Sequence, residues 1–355
     1  MRAVVMRNGA LVVDDLPEPV PVSGQVLVKT LACGICGSDL HFLRHGPSMV
    51  ALSQAGGSSS TLDLSRDVVL GHEFVAEVLD VRADSMTNAV PGDRVVSVPI
   101  LFGTLPPSLE TVRSLGFSNE SNGGYAECMA LSGPLLLKVP NGLATEHAAT
   151  TEPFAVGLHA VNKSGVTSAD AAIVHGCGPV GLAVISALRL AGVRTIVAAD
   201  YSTARRRLAE TMGATEVVDP AQEAAIDAWA RVAGWKGPQI GVTAPLVQFE
   251  AIGVPGILDE LMRRAPRGGR ITVVGVCMEA DSIHPMFGIN KELQLQFVLG
   301  YTPEEFAATL AHLAEGRIDA APLITGRVPL DGVADAFTAL ADPDRHAKIL
   351  VVPNN

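Results

Sequence analysis

Two early segments of the chain, residues 26–31 and 74–79, direct every second side chain to the same face. A period of two is typical of half-buried β-strands. Turn-forming sequences separate the segments, among them Pro21-Val22-Ser23-Gly24 and Pro91-Gly92-Asp93. This pattern predicts a β-rich first part, a small barrel or sandwich, that ends near residue 146.

After residue 145 or so, short apolar runs alternate with stretches of helical length. The predicted strands are Ala171–Val174, Thr195–Ala199, Glu216–Val218, Leu246–Ala251 and Arg270–Val276. The predicted helices between them are Val180–Leu190, Thr203–Met212 and Gly256–Arg264. This order indicates an α/β fold with βαβ units and a doubly wound parallel sheet.

The end of the chain returns to mixed structure, with a helix predicted at Pro303–Glu315 and a strand at Ile349–Val352. We therefore expect two domains. Residues 147–300 form a Rossmann domain, and residues 1–146 together with 301–355 form the β-rich domain. An active site in the cleft between them is the usual arrangement.

A glycine-rich turn, Gly176-Cys177-Gly178-Pro179-Val180-Gly181, joins the first predicted strand to the first predicted helix of this region. Its glycines permit a tight turn, close approach of a pyrophosphate and close packing of the helix, whose N-terminus attracts phosphate. Such turns are common, but the strand–turn–helix context predicts dinucleotide binding here.

Asp200 follows the next strand, at the distance from the glycines where an acidic residue binds the adenosine ribose. This favours NAD over NADP. Two alternatives stay open, since Asp200 would also serve as the N-cap of the next helix. Arg205, which begins a run of three arginines, would also suit a 2′-phosphate.

The composition narrows the class of partner. The chain has 355 residues, a net charge of −11 and no basic run longer than three residues, so nucleic acid and anionic membranes are poor candidate partners. Five cysteines are too few, and an odd number, for a disulfide framework. The first residues reach Asp14-Asp15 without an apolar run, unlike a signal peptide. We expect a cytoplasmic protein that acts on a small molecule.

A second group of chemically active residues lies in the β-rich part, in Cys33-Gly34-Ile35-Cys36, Ser38-Asp39-Leu40-His41 and Gly71-His72-Glu73. A redox C-x-x-C pair needs a βαβ setting, which is missing here. A zinc knuckle needs further cysteines nearby. From the residues alone, purely structural roles remain open as alternatives. Cys33 would then be a core thiol and His72 a buried histidine of a strand.

Several motifs follow one another in a fixed order, namely Gly34-Ile35-Cys36-Gly37-Ser38-Asp39 with His41, Gly71-His72-Glu73, Gly92-Asp93-Arg94-Val95, Glu152-Pro153 and the glycine-rich turn. This order resembles the zinc-dependent medium-chain dehydrogenase/reductase (alcohol dehydrogenase) family, on its sorbitol and butanediol dehydrogenase side. The resemblance extends over essentially the whole chain. It implies a GroES-like fold for the β-rich catalytic domain.

The resemblance also implies one catalytic zinc per chain, with Cys36, His72 and Glu152 as its protein ligands. Glu73 matches a glutamate that is a direct ligand in some relatives and lies behind the ligands in others. Asp39 would orient a ligand from behind. Three protein ligands leave a fourth position for water or substrate, which is typical of catalytic zinc.

Ser38 and His41 match the proton-relay positions of the family, with the Ser38 hydroxyl in contact with the substrate oxygen. The implied reaction is hydride transfer between NAD and a secondary alcohol or polyol, which becomes a ketone. An apolar wall of Phe42, Leu101, Phe102 and Phe154 would suit such a substrate, although each residue fits the core equally well.

The chain departs from the family in two places. Many relatives bind a second, structural zinc through four cysteines, but the corresponding stretch Pro99–Gly124 contains none. The segment from Gly46 to Asp67 is predicted as a long loop, with Gly56–Ser60 as a flap or a plain insertion. Relatives use the zinc lobe for subunit contacts, so a homo-oligomer, dimer or tetramer, is expected without a definite size.

Three other classes of protein fit the sequence less well. A zinc-free NAD(P)H quinone or enone reductase of the same superfamily would lack the set of Cys36, His72 and Glu152. A non-catalytic dinucleotide-binding protein would leave the ligand and relay residues unexplained. A short-chain dehydrogenase is excluded because no tyrosine is followed four residues later by lysine.

Overall fold

Among the residues that the structure describes, the first part of the chain is built from ten strands and two α-helices. The computed structural model describes residues 1–57, 62–104, 107, 112–237 and 244–354. The strands are β1 (Arg2–Arg7), β2 (Ala10–Asp15), β3 (Gln25–Gly34), β4 (Val68–Val69), β5 (Glu73–Val81), β6 (Arg94–Ser97), β7 (Ile100–Phe102), β8 (Val112–Ser114), β9 (Cys128–Ser132) and β10 (Leu136–Lys138). The helices are α1 (Gly37–Ala55) and α2 (Thr145–Ala149). The two strands predicted from alternation, 26–31 and 74–79, are confirmed as parts of β3 and β5.

The strand β3 is the centre of the main sheet of this part. It pairs antiparallel with β5 and β9, and residues at every second position, such as Val26, Val28 and Thr30, are fully buried. Further along, β5 pairs with β6, and β6 with β10. A smaller sheet is formed by β2, β1 and β4. The buried face of β3 therefore fixes the end of the strand, Cys33-Gly34, from which the site residues follow.

The prediction of a long loop from Gly46 to Asp67 is wrong for its first half, because α1 continues to Ala55. The helix is kinked at His45, whose backbone leaves the helical region, and Pro47 lies two residues further on. Proline is tolerated there because it lies at the start of the second helical piece. Of the predicted flap Gly56–Ser60, residues 56 and 57 form a turn, and the rest lies outside the described residues.

The middle of the chain folds as six parallel strands with helices between them. In chain order these elements are α3 (Thr151–Lys163), β11 (Ala171–His175), α4 (Pro179–Leu190), β12 (Thr195–Ala199), α5 (Thr203–Thr211), β13 (Glu216–Val218), α6 (Ala225–Val232), β14 (Leu246–Glu250), α7 (Ile257–Arg264), β15 (Arg270–Val273), α8 (Pro285–Lys291) and β16 (Gln294–Phe297). The sheet order is β13-β12-β11-β14-β15-β16, which is that of a doubly wound sheet. The predicted alternation is confirmed.

The strand β15 is shorter than the predicted Arg270–Val276. The chain turns after Val273 because the N–H groups of Val274 and Gly275 both bond to the carbonyl oxygen of Glu250. The order of the sheet reverses between β11 and β14, and both strands are buried almost throughout. Ligands of doubly wound sheets bind outside the carboxyl ends of the strands at such a reversal.

The last part of the chain returns to the first sheet through α9 (Pro303–Ala314), β17 (Ile324–Val328), α10 (Val333–Ala339) and β18 (Lys348–Val351). The strand β18 pairs antiparallel with the end of β3, with Leu350 opposite Gly34 and Val351 opposite Cys33. Residues from the two ends of the chain thus meet beside Cys36. Among the helices of the described residues, none has both the length and the apolar character needed to cross a lipid bilayer.

Candidate active site

The start of α1 presents the candidate cysteine and serine. Cys36 precedes the helix, and its backbone N–H donates to Asp39 Oδ2 at 3.0 Å, which ties down the first turn. Ser38 lies in that turn, and His41 follows one turn later, half-buried, with its ring 6.3 Å from that of His45. Cys33 is buried in β3 and is a free core thiol, so C-x-x-C is not a disulfide here.

The strand β5 brings a histidine and a glutamate to the same place. The chain enters β5 through Gly71, at a φ of +98°, where a side chain would overlap Tyr125. A ring nitrogen of His72, the Cys36 Sγ and a carboxylate oxygen of Glu73 all lie within 4.8 Å of one another. We call these three residues the ligand cluster. Ser38 Oγ lies 3.5 Å from His72 Nε2, at the edge of the cluster.

Asp39 lies behind the ligand cluster and faces the His72 ring. Its side chain is fully buried, Oδ1 lies 3.4 Å from His72 Nδ1, and Oδ2 accepts a hydrogen bond from the Tyr125 hydroxyl at 2.7 Å. Burial opposes ionisation, but the charge of His72 and these hydrogen bonds hold the pKa of the Asp39 carboxyl below its ordinary value. A carboxylate at Nδ1 leaves Nε2, the nitrogen nearer Ser38, available to a metal.

Glu73 has a cationic partner that the sequence analysis missed. Lys348 Nζ lies 2.7 and 2.6 Å from Glu73 Oε1 and Oε2, and also donates to the Ile35 carbonyl oxygen at 3.0 Å. Both side chains are only 1% exposed. A lysine within the apolar run of the final strand was the available signal, since a buried lysine is almost always paired.

Glu152 lies in the first turn of α3 and is not a member of the ligand cluster. Burial and the nearby Glu73 carboxylate raise the pKa of Glu152 to about 7, against the opposing charges of His72 and Lys348. Within the described residues, no basic nitrogen lies at ion-pairing distance from its carboxylate. The Tyr301 hydroxyl faces Glu152, and burial together with this carboxylate raises the pKa of Tyr301.

An aromatic pair borders the ligand cluster. The rings of Phe42 and Phe117 meet edge to face at 5.2 Å, and Phe117 lies 5.3 Å from the His72 ring. Of the apolar wall considered from the sequence, Phe42 and Phe154 are at most 2% exposed and serve mainly as core. The sequence analysis did not single out Phe117.

The glycine-rich turn has the conformation expected for phosphate binding. Gly176 has a φ of +90°, and a Cβ atom at Gly181 would lie 1.9 Å from the Gly176 carbonyl oxygen, so the helix packs closely on the turn. Gly178 precedes α4, and Pro179 and Val180 form its first residues. The Gly176 N–H donates to the Ala199 carbonyl oxygen, and the turn leads directly into the N-terminus of α4, the end of a helix that attracts phosphate.

Asp200 follows β12 and is held by two backbone groups. Its Oδ2 accepts from the Cys177 N–H and its Oδ1 from the Ser202 N–H, both at 2.8 Å. The N-cap of α5 is Ser202, whose Oγ accepts from the Arg205 N–H at 3.1 Å, so the alternative that Asp200 caps this helix is wrong. The buried Arg205 Nε has no hydrogen-bond partner among the described residues.

A cavity of about 160 Å³ opens beside Asp200 at the carboxyl end of the sheet. Tyr201, Ile226 and Ile252 form its apolar walls, and His175 and Gln248 line it as well. The last two are joined by a 3.0 Å contact between His175 Nε2 and Gln248 Oε1. The place and the apolar walls suit an adenosine group.

Comparison with known proteins identifies the family. The model of the alcohol dehydrogenase GroES-like domain matches residues 22–141, and that of the zinc-binding dehydrogenases matches residues 179–315. The chain is also 34% identical to the (R,R)-butanediol dehydrogenase of Bacillus subtilis over 347 residues, 96% of each protein. The chain belongs to the zinc-type alcohol dehydrogenase family.

Further relatives and solved structures agree with this assignment. Chicken (Gallus gallus) sorbitol dehydrogenase is 27% identical to this alcohol dehydrogenase over 95% of the chain and 92% of its own length. The crystal structure of the Bacillus subtilis 2R,3R-butanediol dehydrogenase matches with a TM-score of 0.83, 33% identity and 99% coverage of both chains. A structure from Sinorhizobium meliloti 1021, bound to NADP, matches with a TM-score of 0.79, 28% identity and 99% coverage of both chains.

The expected fold, enzyme class and cofactors are therefore confirmed. The fold is a doubly wound sheet with a GroES-like part. The enzyme is an oxidoreductase of the alcohol dehydrogenase type that uses zinc and a nicotinamide dinucleotide. The alternatives of a zinc-free reductase and a non-catalytic protein are not favoured.

Proposed function

We propose that the enzyme interconverts a small, uncharged secondary alcohol or polyol and its ketone, with NAD as the hydride acceptor. The observation that carries this proposal is the ligand cluster with the Ser38 hydroxyl 3.5 Å from His72 Nε2. The partly exposed ring of Phe117, 5.3 Å from the His72 ring, suits the carbon skeleton of such a substrate. The names of the relatives, butanediol and sorbitol dehydrogenase, support the same class.

We assign the zinc to Cys36, His72 and Glu152, with Glu73 beside them. The residues fit the metal, because one thiolate, one imidazole and one carboxylate are ordinary zinc ligands that leave a fourth position free. Glu152 is the carboxylate that lacks a cationic partner, whereas Glu73 is neutralised by Lys348. A half-buried carboxylate without a cationic partner is costly, and a divalent cation would remove that cost.

Held by these residues, zinc would supply Lewis-acid chemistry that makes ionisation of the alcohol accessible near neutral pH. Ser38 Oγ, at the edge of the cluster, would accept the alcohol proton. His41, one turn further along α1, would pass it toward solvent. Burial, followed by the charges of His45 and Arg44, lowers the pKa of His41, so its ring is neutral at pH 7 and able to accept a proton.

The dinucleotide is assigned to the carboxyl end of the parallel sheet. Gly176, Gly178 and Gly181 would let the pyrophosphate approach the turn, and the N–H groups of Gly178 and Val180 would donate to it. Pro179 has no N–H and would fix the backbone at the start of α4. The Asp200 carboxylate would accept hydrogen bonds from the adenosine ribose, which favours NAD. Arg205, close to Asp200, would contribute positive charge next to the ribose.

We extend the proposal to organisation and location. The division into residues 1–146 with 301–355 and residues 147–300 is supported by the pairing of β18 with β3 and by the separate parallel sheet. A homo-oligomer is supported by the edge strand β16, near which Ile289, Phe297 and Leu299 are 71%, 62% and 89% exposed. The low cysteine content supports a cytoplasmic location, which cell fractionation would test.

The activity is tested by screening alcohols and polyols for NAD reduction with and without a chelator. We expect chelator-sensitive turnover and about one zinc per chain by elemental analysis. The variant Ser38→Ala should lower kcat by about 10² to 10⁴, while Ser48→Ala, an exposed serine on the same helix, should not. Turnover that survives complete removal of zinc would contradict the proposed mechanism.

The ligand assignment has a separate test. Glu152→Gln should lower zinc occupancy strongly, because a neutral amide cannot replace the carboxylate charge. Glu73→Gln should lower it less. The reverse order would show that Glu73 is the third ligand and Glu152 the carboxylate beside the metal.

A further inference from the structure

A carboxylate from the end of the chain lies on the start of helix α5, next to Asp200. Asp344 belongs to the turn between α10 and β18, and its Oδ1 accepts the Ser202 hydroxyl at 2.5 Å. The same oxygen lies 3.4 Å from the Ala204 N–H, another free backbone donor of the first turn. The turn itself is also close, since the Pro343 carbonyl oxygen lies 3.2 Å from Ser202 Oγ.

Ser202 connects this carboxylate to the one assigned to the ribose. Its backbone N–H donates to Asp200 Oδ1, and its hydroxyl donates to Asp344 Oδ1. Ser202 therefore donates hydrogen bonds to two carboxylates, to that of Asp200 through its main chain and to that of Asp344 through its side chain. The ribose 2′-oxygen is bound at the first of them in NAD enzymes, so a phosphate on that oxygen would extend toward the second.

The start of α5 would otherwise attract an anion. It offers the Ser202 hydroxyl, the N–H groups of the first turn and the positive end of the helix. Two arginines add to this: Arg206 is occupied by the carbonyl oxygens of Asp200 and Tyr201, but Arg205 Nε is buried without a hydrogen-bond partner in the described part of the chain. These are the groups that hold a 2′-phosphate in NADP enzymes.

The Asp344 carboxylate takes the place of an external anion at the start of α5, because it accepts hydrogen bonds from the donors there. The hydrogen bond from Ser202, then that from Ala204, and the charges of Arg205 and Arg206 lower the pKa of the Asp344 carboxyl, so it is ionised at neutral pH. The negative charge at the helix start is thus already supplied before any ligand binds.

We propose that Asp344 is a second determinant of dinucleotide choice, whose carboxylate occupies the anion-binding start of α5 and so excludes the 2′-phosphate of NADP. This inference rests on the proposed binding of NAD at Asp200. It differs from the assignment of Asp200 because the residue comes from the β-rich part of the chain and acts on the phosphate position, not on the ribose hydroxyls. Asp344 is a specificity residue and takes no part in the chemistry.

The test measures binding to the full-length protein by calorimetry, with 2′,5′-ADP and NADP as phosphate-bearing probes and ADP-ribose and NAD as probes without the 2′-phosphate. In Asp344→Asn the side chain keeps its shape and its acceptor oxygen but loses its charge. We expect it to bind 2′,5′-ADP and NADP at least about tenfold more tightly than the wild type does, by about 1.4 kcal/mol. Its dissociation constants for ADP-ribose and NAD should stay within about threefold.

The matched control is Asp342→Asn, which removes the same charge from the same turn. Asp342 accepts the Asp344 N–H and is exposed, and it makes no hydrogen bond to α5. It should leave the ratio of NADP to NAD dissociation constants unchanged. A second variant, Asp344→Asn with Arg205→Ala, should lose most of the gain, because Arg205 would be the cation released for the phosphate.

The outcomes separate this inference from the proposed function. If the wild type binds NAD and Asp344→Asn leaves the NADP to NAD ratio unchanged, the inference is overturned and the proposed function stands. An equal gain in Asp342→Asn would also overturn it, because the cause would then be net charge alone. A wild type that binds neither ADP-ribose nor NAD would overturn both. The gain in NADP affinity of Asp344→Asn should become smaller as the salt concentration rises, because salt screens the attraction between the 2′-phosphate and Arg205.

Discussion

Lys348 Nζ lies 2.7 and 2.6 Å from the two carboxylate oxygens of Glu73, in a pair that joins the final strand to the strand entered by Gly71-His72. The pairing of β18 with the end of β3 makes this contact possible, because it brings the last residues of the chain beside Cys36. The pair is closed to solvent and lies against a candidate metal site. Its first role is to give the Glu73 carboxylate a cationic partner in a place that is closed to water.

Removal of the lysine charge should destabilise the protein strongly. Lys348→Met keeps the apolar stem but leaves the Glu73 carboxylate buried without a cation. We expect the free energy of unfolding to fall by about 3–5 kcal/mol, measured by urea denaturation of the zinc-free protein and followed by circular dichroism. The double variant with Glu73→Gln should recover part of this loss, since no buried charge is left unpaired.

The matched control for this experiment is Lys163→Met, at an exposed lysine in the last turn of α3. It should change the free energy of unfolding by no more than about 0.5 kcal/mol. A Lys348→Met protein as stable as Lys163→Met would show that Glu73 is neutral or solvated, contrary to the contact described above.

The Asp39 carboxylate should control metal affinity without binding metal itself. Asp39→Asn loses the charge that faces His72 Nδ1 and is expected to raise the zinc dissociation constant about 10- to 100-fold. Tyr125→Phe, which removes only the 2.7 Å hydrogen bond to Asp39, should have a smaller effect. Both are measured by competition with a chromophoric chelator. Asp15→Asn, an exposed carboxylate on β2, is the control, and equal affinities in all four proteins would contradict this role.

Much of the fold follows from local sequence pattern. The alternation at 26–31 and 74–79 and the apolar runs at 171–174 and 195–199 each lead to the observed strand, because one or both faces of these strands are buried. The short helix α6 and the continuation of α1 to Ala55 were not predicted. A helix of only a few turns shows too little hydrophobic periodicity to be recognised. Gly46 and Pro47 are typical of a loop in sequence, although they lie at a kink inside a helix.

The site itself was only partly accessible from sequence. Cys36, Ser38 and His72 belong to motifs and are found together. Lys348, Tyr301 and Asp344 lie far from any motif, and their importance depends on which strands and turns are adjacent in space. Long-range pairing of this kind is decided by the tertiary fold and leaves no local pattern.

His175 should make the protein lose stability as the pH falls below neutrality. Burial lowers the pKa of His175 to about 4, although its hydrogen bond with Gln248 favours the charged ring. In the unfolded chain its pKa is about 6.5, so between these values the unfolded state takes up a proton that the folded state does not. The contribution of this residue to stability is therefore unchanged above pH 6.5 and falls by about 2 kcal/mol on going to pH 5.

The measurement compares urea midpoints at pH 7.5, 6 and 5 for the wild type and His175→Gln. The variant keeps a side chain able to bond to Gln248 but has no titrating ring, so the stability difference between the two proteins should narrow or reverse toward pH 5. A difference that is constant with pH would mean that His175 titrates alike in both states.

The edge strand β16 should form the contact between subunits. Its outer edge is not paired within the described residues, and Phe297 and Leu299 at its end are 62% and 89% exposed. Exposed apolar side chains beside an unpaired strand edge favour association with another chain. The double variant Phe297→Glu with Leu299→Glu should therefore reduce the mass found by light scattering from an oligomer to one chain.

The matched control for this variant is Val20→Glu with Met86→Glu, at two apolar residues that are 86% and 71% exposed in the first part of the chain. It adds the same charge but leaves β16 untouched, so the oligomer should persist. A wild type with the mass of a single chain, or dissociation by both double variants alike, would contradict the assignment of β16. Since Ser38 and the ligand cluster belong to the first part of the chain, dissociation by itself should leave zinc content near one per chain.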